Sequence, residues 1–230
     1  NWEPVEHLKR LVTIATSYTD ENSRYYGNKV LYNAIRTALQ YWVKQDPTCF
    51  NWWFNQISVP QTQASLLALM DAGQKKLPSE ISAPILQTMS ERSDPRKWTG
   101  ANKMDIAIHH LVRGCLLKND SIVRVNADEI FYPVQIVVNE GIQEDLSYHQ
   151  HGPQLYIGGY GTVFVDNIVR MGNILNGTKY AMNREKLSLF SNFIRSTYFN
   201  VFRSRYLDFS VTGRGVSRKG TLDYGDCAAL

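Results

Sequence analysis

Apolar residues return at intervals of three and four along most of this chain, the spacing of a helix that buries one face. Leu31, Ala34, Ile35, Ala38 and Trp42 make one such stripe; Met104, Ile108, Leu111 and Cys115 a second; Leu187, Phe190, Ile194, Tyr198 and Val201 a third. Similar patterns run over 4–17, 60–73, 79–91, 121–138 and 154–175. Together they predict about eight to ten amphipathic helices and almost no strand. Turn residues separate them at Asp20 to Ser23, Asp46-Pro47, Gly73, Ser93-Asp94-Pro95, Asn119-Asp120 and Asn176-Gly177. Helices of about 15 residues joined by short loops predict antiparallel helical hairpins arranged as a bundle, a solenoid or a toroid. No repeat of fixed period is visible, which disfavours consensus solenoids.

Composition adds little to that picture but excludes several classes. With 43% hydrophobic and 20% charged residues the chain is globular rather than disordered. Apolar stretches are broken every few residues, well short of the roughly 20 continuous apolar residues of a membrane span, so a soluble chain is expected. The net charge of +4 leans toward an acidic partner, yet the 25 Lys and Arg are scattered, which argues against nucleic acid. Thirteen Tyr and five Trp offer ring faces to a sugar, although most such aromatics pack helices in any globular chain. Cys49, Cys115 and Cys227 are distant and odd in number, so neither a disulfide framework nor a zinc site is indicated. The start at Asn1 without Met or signal peptide, and the end at Leu230, predict a piece of a longer protein.

Two connecting regions, 140–154 and 205–218, are too long and too rich in polar chemistry to be simple turns, and loops on a rigid scaffold are where catalysis concentrates. The first contains Ser147-Tyr148-His149-Gln150-His151-Gly152-Pro153-Gln154, followed by Gly158-Gly159-Tyr160-Gly161. Pro153 suits the first position of a helix, which would place His151 just before it and Tyr160 about two turns inside. Three glycines within four helical positions would each cost roughly 1 kcal/mol relative to alanine, a cost that close approach of a ligand or another backbone would justify. The plain alternatives are a locally bonded loop histidine and a core tyrosine.

The run Tyr148 to Leu155, with Tyr160-Gly161 nine residues after His151, resembles the active-site segment of chondroitin AC lyases in polysaccharide lyase family 8. Three further stretches agree in order: Asn51-Trp52-Trp53 followed by Pro60, Thr99-Gly100-Ala101-Asn102-Lys103, and Gly213-Arg214-Gly215-Val216-Ser217-Arg218. The resemblance covers nearly the whole chain. It implies an all-α fold, an incomplete (α/α) toroid of antiparallel helical hairpins, with residues 1–230 forming part of an N-terminal catalytic domain. The family's β-sandwich domains, and the acidic residue they contribute, lie beyond this chain. A secreted or periplasmic bacterial protein is implied as well.

The implied chemistry is β-elimination at a uronic acid, giving 4,5-unsaturated products from chondroitin-type glycosaminoglycans and hyaluronan. Asn102 is the implied partner of the substrate carboxylate; its other reading is a helix N-cap with Asp105 three residues on. Tyr160 is the implied proton carrier and His151 its co-base or orienting partner. A free tyrosine, with pKa ~10, is a poor base at neutral pH, so the resemblance needs nearby cations, and Arg214 and Arg218 are the candidates. Arginines in a Gly-rich turn are otherwise simply solvated. Asn51, Trp52 and Trp53 resemble the patch that holds the polymer, although adjacent helical residues point about 100° apart and one tryptophan could be core.

No cofactor is required for this chemistry, and a structural divalent cation elsewhere in the longer protein remains compatible with it. His149 with His151, and His109 with His110, lack the i, i+4 spacing and companion ligands of a zinc site. Two rival functions stay open: a glycoside hydrolase on a helical toroid, using a pair from Glu140, Glu144 and Asp145, and a lyase fragment that binds glycan without turning it over.

Overall fold

The computed structural model describes residues 3–224; Cys227 lies outside them. The chain divides into two compact units. One holds the residues up to Asp94 together with Asp105–Asn126, the other Pro95–Met104 together with Ala127 onward. The class is all-α, as the periodicity predicts.

In the first unit, α1 (Val5–Thr19), α2 (Lys29–Gln45), α3 (Val59–Ala72) and α4 (Ser79–Arg92) form because each repeats an apolar stripe. Helix α1 buries Val5, Leu8, Leu11, Ala15 and Tyr18, and α2 buries Tyr32, Ile35, Leu39 and Trp42. Helix α1 packs on α2 and α3, and α2 on α4, and their stripes merge into one core. The Asn28 side chain starts α2 by accepting from the backbone N–H groups of Val30 and Leu31. Helix α5 (Gly100–Leu116) ends, and α6 (Asp120–Phe131) begins, at the turn expected at Asn119-Asp120, but α5 starts before Asn102 and α6 stops well short of residue 138. Pro133 cannot extend the helical ladder. The carbonyls freed there are taken by Lys186, whose Nζ donates to Phe131 at 2.7 Å and Val134 at 3.0 Å.

Two histidines are buried side by side in the first unit, His109 and His110, their ring centroids 4.4 Å apart. His109 Nε2 lies 3.3 Å from Ser93 Oγ, and His110 Nε2 lies 2.9 Å from the Ser93 carbonyl. Burial, and then the neighbouring His110, hold His109 well below the usual histidine value. Burial likewise lowers His110, with the Ser93 carbonyl and Asp94 opposing and Arg113 adding to the drop. Both groups therefore bind fewer protons folded than unfolded. The stability they allow is complete above the unfolded value of about 6.5 and falls as pH drops below it. Urea unfolding is expected to show a lower midpoint at about pH 5 than at about pH 7.5, and the difference should shrink in His109→Gln.

The second unit is built around aromatic rings. Helix α7 (Thr162–Leu175) and helix α8 (Arg184–Phe193), the latter extended by a wider turn over Ile194–Tyr198 and a tighter one over Phe199–Val201, bury Phe164, Phe190, Phe193 and Tyr198. Phe164 and Phe193 both meet the fully buried Tyr148, at centroid distances of 5.1 and 6.4 Å. Tyr148 belongs to the short strand β2 (Tyr148–His149), paired antiparallel with β1 (Gly141–Ile142). A second ladder joins β3 (Phe202–Arg203) to β4 (Tyr206–Leu207). Through Tyr148, the aromatic core fixes the strand that leads into the candidate site.

Candidate active site

Beyond β2 the chain doubles back on itself. Tyr156 N–H donates to the Tyr148 carbonyl at 2.8 Å and Gln150 N–H to the Gln154 carbonyl at 3.2 Å, closing a tight hairpin. His151 and Gly152 form its tip, both left-handed, at φ 59° and 77°. For a residue other than glycine that conformation is uncommon and needs support. The expected helix from Pro153 is not there. Residues 150–154 are loop, the backbone leaves helical geometry at Gly158 and Gly159, and Tyr160 sits in the irregular turn just before α7. The glycines thus break the helix instead of burdening it.

This arrangement brings His151 and Tyr160 together, edge to face, with ring centroids 4.8 Å apart. Tyr156 completes an aromatic trio, 5.2 Å from Tyr160 and 6.4 Å from His151. Gly213, at φ 52°, lies on the Tyr156 ring so closely that a Cβ there would fall 2.5 Å from it. Only glycine allows that seat. The next residue, Arg214, points back at Tyr160, its Nη2 3.4 Å from the phenol oxygen and its guanidinium 5.9 Å from the ring centre. Arg218 is exposed, and its side chain makes no hydrogen bond or ion pair among the described residues. Partial burial, and then the charge of Arg214, lower the His151 pKa from its ordinary value, with Glu140 acting the other way.

Asn102 is buried in the same unit, but not as a cap. Helix α5 begins at Gly100, so Asn102 lies within its first turn, and the Thr99 carbonyl accepts from Lys103 N–H at 3.2 Å. Beside it, the Lys103 ammonium pairs with Glu129 and lies 4.8 Å over the Tyr132 ring. Arg96, Thr99, Lys103, Tyr132 and Glu140 line a cavity of about 450 Å³ in this unit.

Asn51, Trp52 and Trp53 belong to the first unit. Asn51 Oδ1 accepts from Trp53 N–H at 3.0 Å, starting the turn that leads into α3. Both tryptophans are exposed, 41% and 38%, so of the two readings left open for the pair, the one with a tryptophan in the core does not hold. Among the described residues no cluster of three or more His, Cys, Asp or Glu is placed to hold a metal ion, and no helix is long and apolar enough to cross a membrane. Of the acids a hydrolase would use, Glu140 is already bonded to three donors and Asp145 accepts from Ser147 N–H at 2.9 Å. Sequence reasoning missed Tyr156, Gln150 and the role of Glu140; the aromatic flanking the Gly-Gly pair was the one signal available.

A family model described as polysaccharide lyase family 8, N terminal alpha-helical domain, matches residues 1–230. The chain is 42% identical over 224 residues to chondroitinase-AC of Pedobacter heparinus, an alignment covering 97% of this chain and 32% of that protein. It is 26% identical to the xanthan lyase of Bacillus sp. strain GL1, covering 94% of this chain and 24% of the relative. Among solved structures, a chondroitinase AC lyase studied as enzyme-oligosaccharide complexes superposes with a TM-score of 0.92 at 42% identity, covering 97% of this chain and 33% of that one. A Paenibacillus xanthan lyase gives 0.83 at 25% identity, covering 96% and 21%. The chain thus spans about a third or less of the length of these relatives.

Proposed function

We propose that this chain, which belongs to polysaccharide lyase family 8, supplies the proton-transfer groups of an enzyme that cleaves chondroitin-type glycosaminoglycans by β-elimination. The observation that carries the reading is the meeting of His151, Tyr160 and Arg214 at one spot. The 42% identity to a chondroitinase-AC favours chondroitin over xanthan.

In the proposed reaction the side-chain amide of Asn102 donates to the uronate carboxylate, so that charge can build there when C5 loses its proton. Tyr160, as phenolate, takes that proton. The electron pair forms the C4–C5 double bond, the C4–oxygen bond breaks, and the Tyr160 hydroxyl returns the proton to the departing oxygen, which regenerates the phenolate. Arg214 is placed to hold charge on the phenol oxygen, and its planar guanidinium also suits a carboxylate or sulfate. His151, with its proton affinity reduced, is neutral at physiological pH and orients or assists Tyr160. Arg218 enters the proposal only as a binder of substrate anion. The full-length protein is expected to release a product absorbing in the ultraviolet from chondroitin 4-sulfate or 6-sulfate more rapidly than from hyaluronate or xanthan. Cleavage without that absorbance would mean hydrolysis, and binding without cleavage an inactive glycan receptor.

Trp52 and Trp53, both exposed, are proposed to stack on sugar rings of the polymer. Alanine at both positions should raise the KM for long chondroitin chains by about tenfold or more while kcat falls less, since stacking positions substrate without moving protons. A collapsed kcat with unchanged KM would contradict this role.

A further inference from the structure

We propose that Glu140 is a positioning residue, whose carboxylate ties the helix start carrying Asn102 to the hairpin tip carrying His151. Three donors converge on it. Thr99 Oγ1 donates to Glu140 Oε2 at 2.5 Å, Gln150 Nε2 donates to the same oxygen at 2.6 Å, and Gly152 N–H donates to Oε1 at 3.0 Å. Thr99 precedes the first turn of α5, three residues before Asn102, while Gln150 and Gly152 flank His151 on either side.

The rest of the network supports the same tie. Gln150 is buried, and its Oε1 accepts from the Tyr148 hydroxyl at 3.2 Å, so the aromatic core holds its amide toward Glu140. Gly100, at φ 49°, leaves the room this needs: a Cβ there would lie 2.1 Å from Gln150 Oε1. The bond from Gly152 N–H fixes the left-handed tip that a histidine does not adopt by preference. A carboxylate is the group this place requires, because it offers acceptors on both oxygens to donors from two sides. Glutamine would turn an N–H₂ group onto one of those donors.

Glu140 also acts on His151 through charge. The groups around the imidazole are the rings of Tyr160 and Tyr156, with centroids 4.8 and 6.4 Å away, and the opposed charges of Arg214 and Glu140. Removing the carboxylate charge leaves Arg214 unopposed.

The catalytic half of this proposal rests on the lyase reading above; the structural half does not, and two measurements separate them. The first follows the titration of the His151 ring by NMR in the full-length protein, with the resonance assigned by its loss in His151→Asn. Glu140→Gln should lower the His151 midpoint by about half a pH unit or more, and Glu140→Asp should leave it near the unsubstituted value. The second is turnover of chondroitin sulfate by the full-length protein. Glu140→Gln should lower kcat about 10²-fold with KM changed little, move the acid limb of the pH–rate profile to lower pH, and be partly rescued by Glu140→Asp. Thr99→Val removes only the arm toward Asn102 and should lower kcat while leaving the His151 midpoint in place. An unmoved midpoint in Glu140→Gln, with kcat unchanged in both Glu140→Gln and Thr99→Val, overturns the proposal. A moved midpoint in a protein that yields no unsaturated product from any of the four polymers keeps the positioning role and sinks the lyase reading instead.

Discussion

Replacing Tyr160 by phenylalanine is expected to abolish formation of the unsaturated product while substrate binding and the fold are kept. The ring is half-buried and packed edge-on against His151 and Tyr156. Phenylalanine preserves those contacts and deletes only the hydroxyl that Arg214 approaches at 3.4 Å. A general acid or base contributes ~10²- to 10⁴-fold, and a group that both removes and returns the proton should sit at the upper end. Initial rates of ultraviolet absorbance, together with the affinity of the variant for chondroitin oligosaccharide, decide the matter. Substantial turnover by a folded Tyr160→Phe protein would transfer the role of base to His151.

The largest loss of stability is expected from Lys103→Met. The Lys103 and Glu129 side chains pair at 8% and 17% exposure, Lys103 from the same helical turn as Asn102 and Glu129 from α6. Methionine fills much of the lysine stem but leaves the Glu129 carboxylate buried without its counter-ion. Breaking one partner of a buried pair costs about 3 to 5 kcal/mol, whereas replacing both with apolar groups is often nearly neutral. Lys103→Met should therefore lower the urea midpoint steeply, and Lys103→Met with Glu129→Leu should recover most of it. A single variant as stable as the unsubstituted chain would show that the pair is already wet.

The helical class, and the positions of α1 through α5 and α8, were legible from periodicity because each helix buries one stripe against its own neighbours. Two extensions failed for local reasons. The apolar run after Phe131 keeps helical spacing, but Pro133 ends the ladder and Lys186, more than fifty residues away, takes the freed carbonyls. Before α7, Gly158 and Gly159 carry backbone angles that no apolar count can report. Within the site, the motif residues His151, Tyr160, Asn102 and Arg214 stood out because each lies in a short, recognisable segment. Glu140 did not. It read as one acid among three, since its partners are separated from it by 10, 12 and 41 residues and only the folded chain assembles them.

The left-handed backbone at His151 also limits how this protein can drift. Asparagine and aspartate tolerate φ near 60°, whereas β-branched side chains do not. A saturation library at position 151 would therefore pass through two separate sieves. One sorts variants by whether the tip still forms and the protein accumulates in the cell; the other sorts them by whether the product appears. Asparagine, reached from histidine by a single base change, should clear the first and fail the second. Variants of that kind would populate the lineage with well-folded, sugar-recognising descendants that have lost the chemistry, while valine or isoleucine at the same place would leave few descendants of any sort.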